Sequence, residues 1–336
     1  MESSSAAAPA RMLVRLPNWL GDLLMARPAV AALRAAHPTT MFEAVAPRAL
    51  LGLVEWDGVF QAVHAWPRAG AARAQLARTM RSTRPDAALI LPPSFSSAWW
   101  ALRTGARVRV GFRSEARDLL LSDAVVRPPR GEFHLADEYL MLARVLGARD
   151  AVPSTLAVPP AAREDATALR ARLGAGGSYA VLAPGAIYGP AKRWGEDQFI
   201  AVGRALADRG DAVLTCGAAT ERDACERVAE GIGPRAVAVA GHTDLATQAA
   251  LCAGARVAVC NDSGLAHLSA ATGAPTVVVF GSTSSAWTAP LGTRVRVVQH
   301  APPCAPCFQR ACTIGYRCLV AVRSRDVIDA CAAVAG

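Results

Sequence analysis

The feature that most constrains the fold is the regular alternation, in the second half of the chain, of short apolar runs with helix-length segments. Strand-like runs at 179–182, 212–215, 236–240, 257–260 and 276–280 are each followed by a stretch long enough to form a helix. Continuous apolar strands of this kind belong to a parallel sheet covered on both faces. The first half alternates less cleanly, with strands expected at 12–16, 42–46, 86–91 and 108–112 and helices at 22–36 and 135–146. The fold class is therefore α/β, with two doubly wound, Rossmann-like parallel-sheet domains and a cleft between them. Residues 1–10 are small and polar and read as a flexible tail. Pro153, Pro159, Pro160 and the run Gly174-Ala-Gly-Gly177 place the linker within 151–177, which gives domains at 11–160 and 161–336.

Composition excludes several classes. The chain has 336 residues, 52% of them hydrophobic and 19% charged, so it can bury a large core and is not disordered. Arg15, Asn18 and Asp22 interrupt the apolar N-terminus, which argues against both a membrane span and a cleaved signal and favours the cytoplasm. Net charge is +9, and the first 150 residues hold 19 basic and 13 acidic side chains against 17 and 14 in the rest. The first half is thus the better candidate for an anionic partner. Nucleic acid is not expected, because the arginines form no basic run interleaved with aromatics.

Lys192 is the single lysine among 36 basic residues. It lies in the Gly/Pro-rich loop Ala183-Pro-Gly-Ala-Ile-Tyr-Gly-Pro-Ala-Lys-Arg-Trp194, directly after a strand-like run. A lysine there is either a movable point charge for a phosphate or a solvated surface residue. In doubly wound sheets, ligands bind beyond the carboxyl ends of strands, so the loops there carry the chemistry. Pro17-Asn-Trp-Leu-Gly-Asp22 opens a helix and lacks the Gly-x-Gly-x-x-Gly pattern, so no dinucleotide cofactor is expected in the first domain. Asp22 is a ligand-facing carboxylate or an ordinary first-turn acid. In Asn261-Asp-Ser-Gly-Leu-Ala-His267, Asp262 or Ser263 can cap the helix while Gly264 opens backbone N–H groups to an anion. His267 either serves that loop or packs in the core. Glu221 follows another strand and is placed to meet a ribose diol or simply to favour a helix start.

Nine cysteines without an export signal read as reduced thiols. Cys216, Cys225, Cys252, Cys260 and Cys331 sit in or beside apolar segments and read as small buried hydrophobes. Cys304, Cys307, Cys312 and Cys318 have a spacing compatible with a thiolate-bound metal, a reduced structural cluster or a redox-sensitive loop.

With these loops in view, the chain resembles the ADP-heptose:lipopolysaccharide heptosyltransferases of glycosyltransferase family 9. The resemblance runs from about Arg11 to the C-terminus. It is carried by Asn18-Trp-Leu-Gly-Asp22, Pro184-Gly-Ala186 with Gly189-Pro-Ala-Lys-Arg-Trp194, Asn261-Asp-Ser-Gly-Leu-Ala-His267 and Gly281-Ser-Thr283. Asn261-Asp-Ser-Gly264 together with Cys304-Ala-Pro-Cys-Phe308 is similar to the heptosyltransferase II branch. Gly195 departs from the pattern, since relatives often have proline there.

The resemblance implies a GT-B fold and an inverting transfer of L-glycero-D-manno-heptose from ADP-heptose to the heptose-bearing inner core of lipopolysaccharide, on Kdo-lipid A. It implies Asp22 as the base, and Lys192 with the backbone from Asp262 through Ser263 to Gly264 as the holder of the diphosphate. Glu221 would bind the ribose and His267 would organise the phosphate loop, with no cofactor and no catalytic metal. Asn18, Arg113 and Arg117 are candidates for the acceptor, the two arginines for its phosphates or carboxylates unless they are solvated helix charges. A monomer in peripheral contact with the cytoplasmic face of the inner membrane is expected. The competing readings are a related transferase with a heptosyltransferase I-like or protein acceptor, a GT-B sugar-nucleotide epimerase, and a non-catalytic nucleotide-binding protein.

Overall fold

A computed structural model of the chain describes residues 9–152 and 155–335, so most of the expected tail lies outside the described residues. The chain divides into two compact units, Met1–Ser154 and Thr155–Gly336, a few residues before the expected boundary. Within the expected linker, Pro160–Arg172 is a helix that packs on the helix Leu245–Ala253 and so belongs to the second unit.

Each unit is built on one six-stranded sheet. The first contains β1 (Arg11–Arg15), β2 (Met41–Pro47), β3 (Ala62–Trp66), β4 (Ala87–Ile90), β5 (Val108–Phe112) and β6 (Asp123–Val125), in the order β3-β2-β1-β4-β5-β6. The second contains β7 (Tyr179–Ala183), β8 (Ala212–Thr215), β9 (Ala236–Ala238), β10 (Val257–Asn261), β11 (Thr276–Phe280) and β12 (Val295–Gln299), in the order β12-β11-β10-β7-β8-β9. Every pairing is parallel. The two orders are the same topology repeated. In both sheets the winding direction reverses at the middle, between β1 and β4 and between β7 and β10, where doubly wound folds bind ligands.

The sequence dictates this arrangement through burial. All five residues of β7, β10 and β11 are buried, as parallel strands covered on two faces require. Over them pack Trp194, Phe199, Val202 and Leu206 on one side of the second sheet's core, with Leu319, Val322 and Val327 from the C-terminal segment. Trp194 is the anchor of that layer. It meets Phe199 edge to face with ring centroids 5.1 Å apart, and its indole N–H donates to the Val322 carbonyl at 2.9 Å. An indole buried with its N–H satisfied fixes the chain that precedes it. That chain is the loop carrying Lys192.

Candidate active site

At the switch point of the second sheet, β7 and β10 run side by side with Cys260 opposite Ala183. Their two outgoing loops are therefore neighbours. Asn261, the last residue of β10, ties them together. Its side-chain carbonyl accepts the Trp194 N–H at 3.0 Å, and its amide donates to the carbonyls of Pro184 at 2.7 Å and Gly185 at 3.4 Å. One fully buried amide thus pins both ends of the loop from Pro184 to Trp194. Sequence reasoning quoted Asn261 within a motif but gave it no role.

The loop turns back through Pro190–Lys192, a single 3-10 turn, and delivers Lys192 onto the residue after Asn261. The ammonium lies 2.6 Å from Oδ2 of Asp262, with 14% of the lysine side chain and 3% of the aspartate side chain exposed. The same oxygen accepts a hydrogen bond from Thr283, itself buried at the end of the β11 loop. Thr283 is held in turn, because its carbonyl accepts from Gln299 on β12 at 3.1 Å. Lys192 also lies 4.9 Å from the centre of the Tyr188 ring. Asp262 therefore meets the lysine through its side chain.

Ser263 occupies the N-cap of the helix Gly264–Ala271, yet its hydroxyl makes no capping bond. The Ala266 N–H donates to the Ser263 carbonyl at 3.2 Å, and the N–H groups of Gly264 and Leu265 stand before it at the positive end of the helix dipole. His267 is buried one turn on, at 5% exposure. Glu221 arrives from the loop after β8. Its Oε2 accepts the Ala218 N–H at 2.9 Å, and its carboxylate rests against Gly185 so closely that a Cβ there would fall 2.2 Å from Oε1. Lys192, Asp262, Ser263 and Glu221 are thus brought onto adjoining loops of one sheet, although they are far apart in the chain.

A strap from the late cysteine segment fixes the lysine loop from outside. The Ala191 N–H donates to the Arg310 carbonyl at 3.1 Å, Arg310 Nε donates to the Tyr188 carbonyl at 2.8 Å, and the Tyr188 hydroxyl donates to the Phe308 carbonyl at 2.6 Å. Gly189, at φ +154°, lies where a Cβ would sit 2.4 Å from the Arg310 carbonyl, so only glycine fits. Cys304 is exposed, Cys307 and Cys312 are half-buried, and Cys318 is buried. Among the described residues no group of three or more His, Cys, Asp and Glu side chains is placed to hold a metal ion.

The first unit places its candidates differently. Asp22 lies in the first turn of the helix Leu20–Ala36, after β1, and is half-buried. Tyr139, on the helix Leu135–Val145 packed against it, is buried. Its hydroxyl is pushed well above its ordinary pKa by burial and then by the Asp22 carboxylate. Asn18 accepts a hydrogen bond from Arg15, which is itself buried, donates to the Val45 carbonyl at 3.3 Å and stacks 4.2 Å from the centre of Trp66. Burial, with Arg73 nearby, pulls Arg15 down to about 9.

Arg113 is exposed and paired with Asp118 at 2.8 Å. Arg117 requires a correction. It is fully buried, donates to the Pro92 carbonyl at 3.1 Å, and is lowered from its ordinary pKa by that burial. A guanidinium in that position is tied to the loop after β4 and is not a solvated helix charge.

Comparison with known proteins bears on what these loops do. The model of glycosyltransferase family 9 (heptosyltransferase) matches residues 73–316. The chain belongs to glycosyltransferase family 9. This family 9 glycosyltransferase is 30% identical over 308 residues to lipopolysaccharide heptosyltransferase 2 of Escherichia coli K12, covering 86% of the chain and 88% of the relative. It is 28% identical over 313 residues to lipooligosaccharide heptosyltransferase 2 of Haemophilus influenzae, with the same coverage. Among solved structures, ADP-heptose lps heptosyltransferase II of E. coli aligns with a TM-score of 0.82 at 26% identity, covering 97% of this chain and 98% of that one. The heptosyltransferase WaaC of E. coli, solved with ADP, shares the fold, with a TM-score of 0.76 at 21% identity over 96% and 99% of the two chains. The GT-B class expected for the family 9 glycosyltransferase is the class its two sheets adopt.

Proposed function

We propose that this glycosyltransferase moves a heptosyl group from ADP-heptose to a heptose in the inner core of a lipopolysaccharide-type acceptor, with inversion at the anomeric carbon. The acceptor hydroxyl attacks that carbon, its bond to the diphosphate oxygen breaks, ADP leaves, and the hydroxyl proton passes to a carboxylate. By resemblance Asp22 is that carboxylate. The departing diphosphate gathers negative charge, and stabilising it is the largest demand on the protein. Lys192 and the open N–H groups at the start of Gly264–Ala271 answer this demand in the proposal. The observation that carries the reading is the delivery of the chain's single lysine onto Asp262 at the switch point of the second sheet.

Asp262 holds the ammonium in place until phosphate oxygens take it over, and Glu221 is assigned to the ribose. Arg113 and Asn18 are assigned to the acceptor. The chain works as a monomer at the cytoplasmic face of the inner membrane, in peripheral contact with the lipid that carries its acceptor. Among the described residues, no helix is long and apolar enough to cross a membrane. The test is incubation of the purified chain with ADP-heptose and two acceptors, Kdo-lipid A with and without a first heptose, followed by mass spectrometry. Transfer only to the heptose-bearing acceptor is expected. Preference for the heptose-free acceptor would make it heptosyltransferase I-like, and ADP-heptose consumption without either product would overturn the proposal.

A further inference from the structure

The helix Phe95–Thr104, which follows β4, is apolar on both sides. Its inner face buries Ala98, Trp100 and Ala101 in the core of the first unit. Its outer face exposes Phe95 at 50%, Trp99 at 46% and Leu102 at 37%, spaced to form one stripe, with Arg103 beside them. Phe95 and Trp99 stack on each other, ring centroids 6.4 Å apart and nearly parallel at 10°. Leu119, in the 3-10 segment Glu115–Leu120 that packs against this helix, is 88% exposed. An isolated exposed apolar residue needs no explanation, but an ordered aromatic stripe on a solvent-facing helix does.

The charge around the stripe says what covers it. From Gly70 to Arg107 the chain carries six arginines and a single acid, Asp86, which is paired with Arg107 at 3.5 Å. Arg81, Arg84, Arg103 and Arg107 are all exposed, on or beside two helices that pack together. A second copy of the chain meeting this face symmetrically would bring two such arginine groups together, which disfavours self-association. An anionic surface with an apolar interior suits both halves of the patch. Tryptophan and phenylalanine settle at the boundary of headgroups and acyl chains, and guanidinia pair with lipid phosphates.

We propose that the outer face of Phe95–Thr104, with Leu119 and the flanking arginines, docks the protein on a bilayer containing anionic phospholipid. The proposal goes beyond the peripheral contact named above by assigning the surface. It is tested without either sugar substrate, so it stands or falls independently of the transferase reading. The full chain is sedimented with vesicles of phosphatidylcholine alone or mixed with phosphatidylglycerol, and its tryptophan fluorescence is read with brominated lipid.

Binding to the phosphatidylglycerol vesicles, with quenching that Trp99→Ser reduces, is expected. Phe95→Ser/Trp99→Ser and, separately, Arg103→Glu/Arg107→Glu should each weaken that binding by about ten-fold or more. All of these positions are exposed, and an unchanged melting curve confirms that each variant folds. Wild-type protein that ignores both vesicle types, or binding that survives both double variants, overturns the assignment. So does a concentration-dependent dimer that Trp99→Ser abolishes while no vesicle binding is seen, since that would make the face an interface between copies.

Discussion

The Lys192 ammonium and the Asp262 carboxylate meet at 2.6 Å on adjoining loops of β7 and β10, the point where the second sheet reverses its winding. A buried ion pair contributes little net stability, because desolvation offsets much of the attraction. Its value is positional. The lysine is held in one place, and in the proposed scheme a diphosphate arriving there exchanges one anionic partner for another.

Thr283 is the test of that positioning. It donates to the same Asp262 oxygen that holds the lysine. Thr283→Val removes the donor while keeping the shape, leaving a buried acceptor short of a partner at a cost of about 1–3 kcal/mol. The expected result in steady-state kinetics is a fall in kcat/KM of roughly ten-fold or more, largely recovered in Thr283→Ser. Equal kinetics for the valine and wild-type enzymes would show that Asp262 needs no such support.

Gly185 tests the site of Glu221. A methyl group at Gly185 would collide with the Glu221 carboxylate, whereas at Gly176 it would meet nothing within 4 Å. Gly185→Ala should push Glu221 aside and weaken ADP binding by about ten-fold, the scale of a 1–3 kcal/mol overpacking strain. Gly176→Ala should leave it unchanged. Calorimetric titration with ADP distinguishes the two, and unchanged ADP affinity in Gly185→Ala would remove Glu221 from the nucleotide site.

The cysteines separate by burial. Burial pushes Cys225, Cys252 and Cys331 up to about 12 and Cys216 and Cys260 well above the ordinary thiol range, so at pH 8 all five are protonated and shielded. Iodoacetamide should label the exposed Cys304 first and these five only after unfolding, as read by peptide mass spectrometry. Because their folded values are raised, the stability they contribute is full below about pH 8.5, the unfolded thiol value, and is lost as pH rises toward 12. A melting temperature that rises over that range would contradict the assignment.

The proposed scheme assigns the neutralisation of the leaving diphosphate to Lys192 and helix N–H groups. Transfer from ADP-heptose should therefore proceed undiminished after dialysis against a chelator, within about two-fold of the untreated rate. Loss of turnover with recovery on adding a divalent cation would require a metal in the scheme.

How much of this was legible in the sequence depended on distance along the chain. The central strands β7, β10 and β11 showed as continuous apolar runs because both of their faces are covered. The outer strands β3, β6 and β12 did not, since their residues are short of full burial and mix polar with apolar. The motifs around Lys192 and Asp262 were each visible, and the sheet order that sets them side by side was not. Arg15 read as an interruption of the apolar N-terminus, because its neighbour Trp66 comes from another strand. Arg117 read as an accessible charge for the same reason: nothing local announces the Pro92 carbonyl above it.

The central claim is that Lys192 meets the donor's diphosphate as a compact ammonium, and kcat/KM of Lys192→Arg with ADP-heptose tests it most directly. The charge is kept, but a planar fork does not fit a place shaped for an ammonium between Asp262 and the Tyr188 ring. The account predicts a loss of about 100-fold or more, comparable to removing one donor of a developing anion, with the melting curve unchanged. Turnover near that of the unsubstituted enzyme would contradict it.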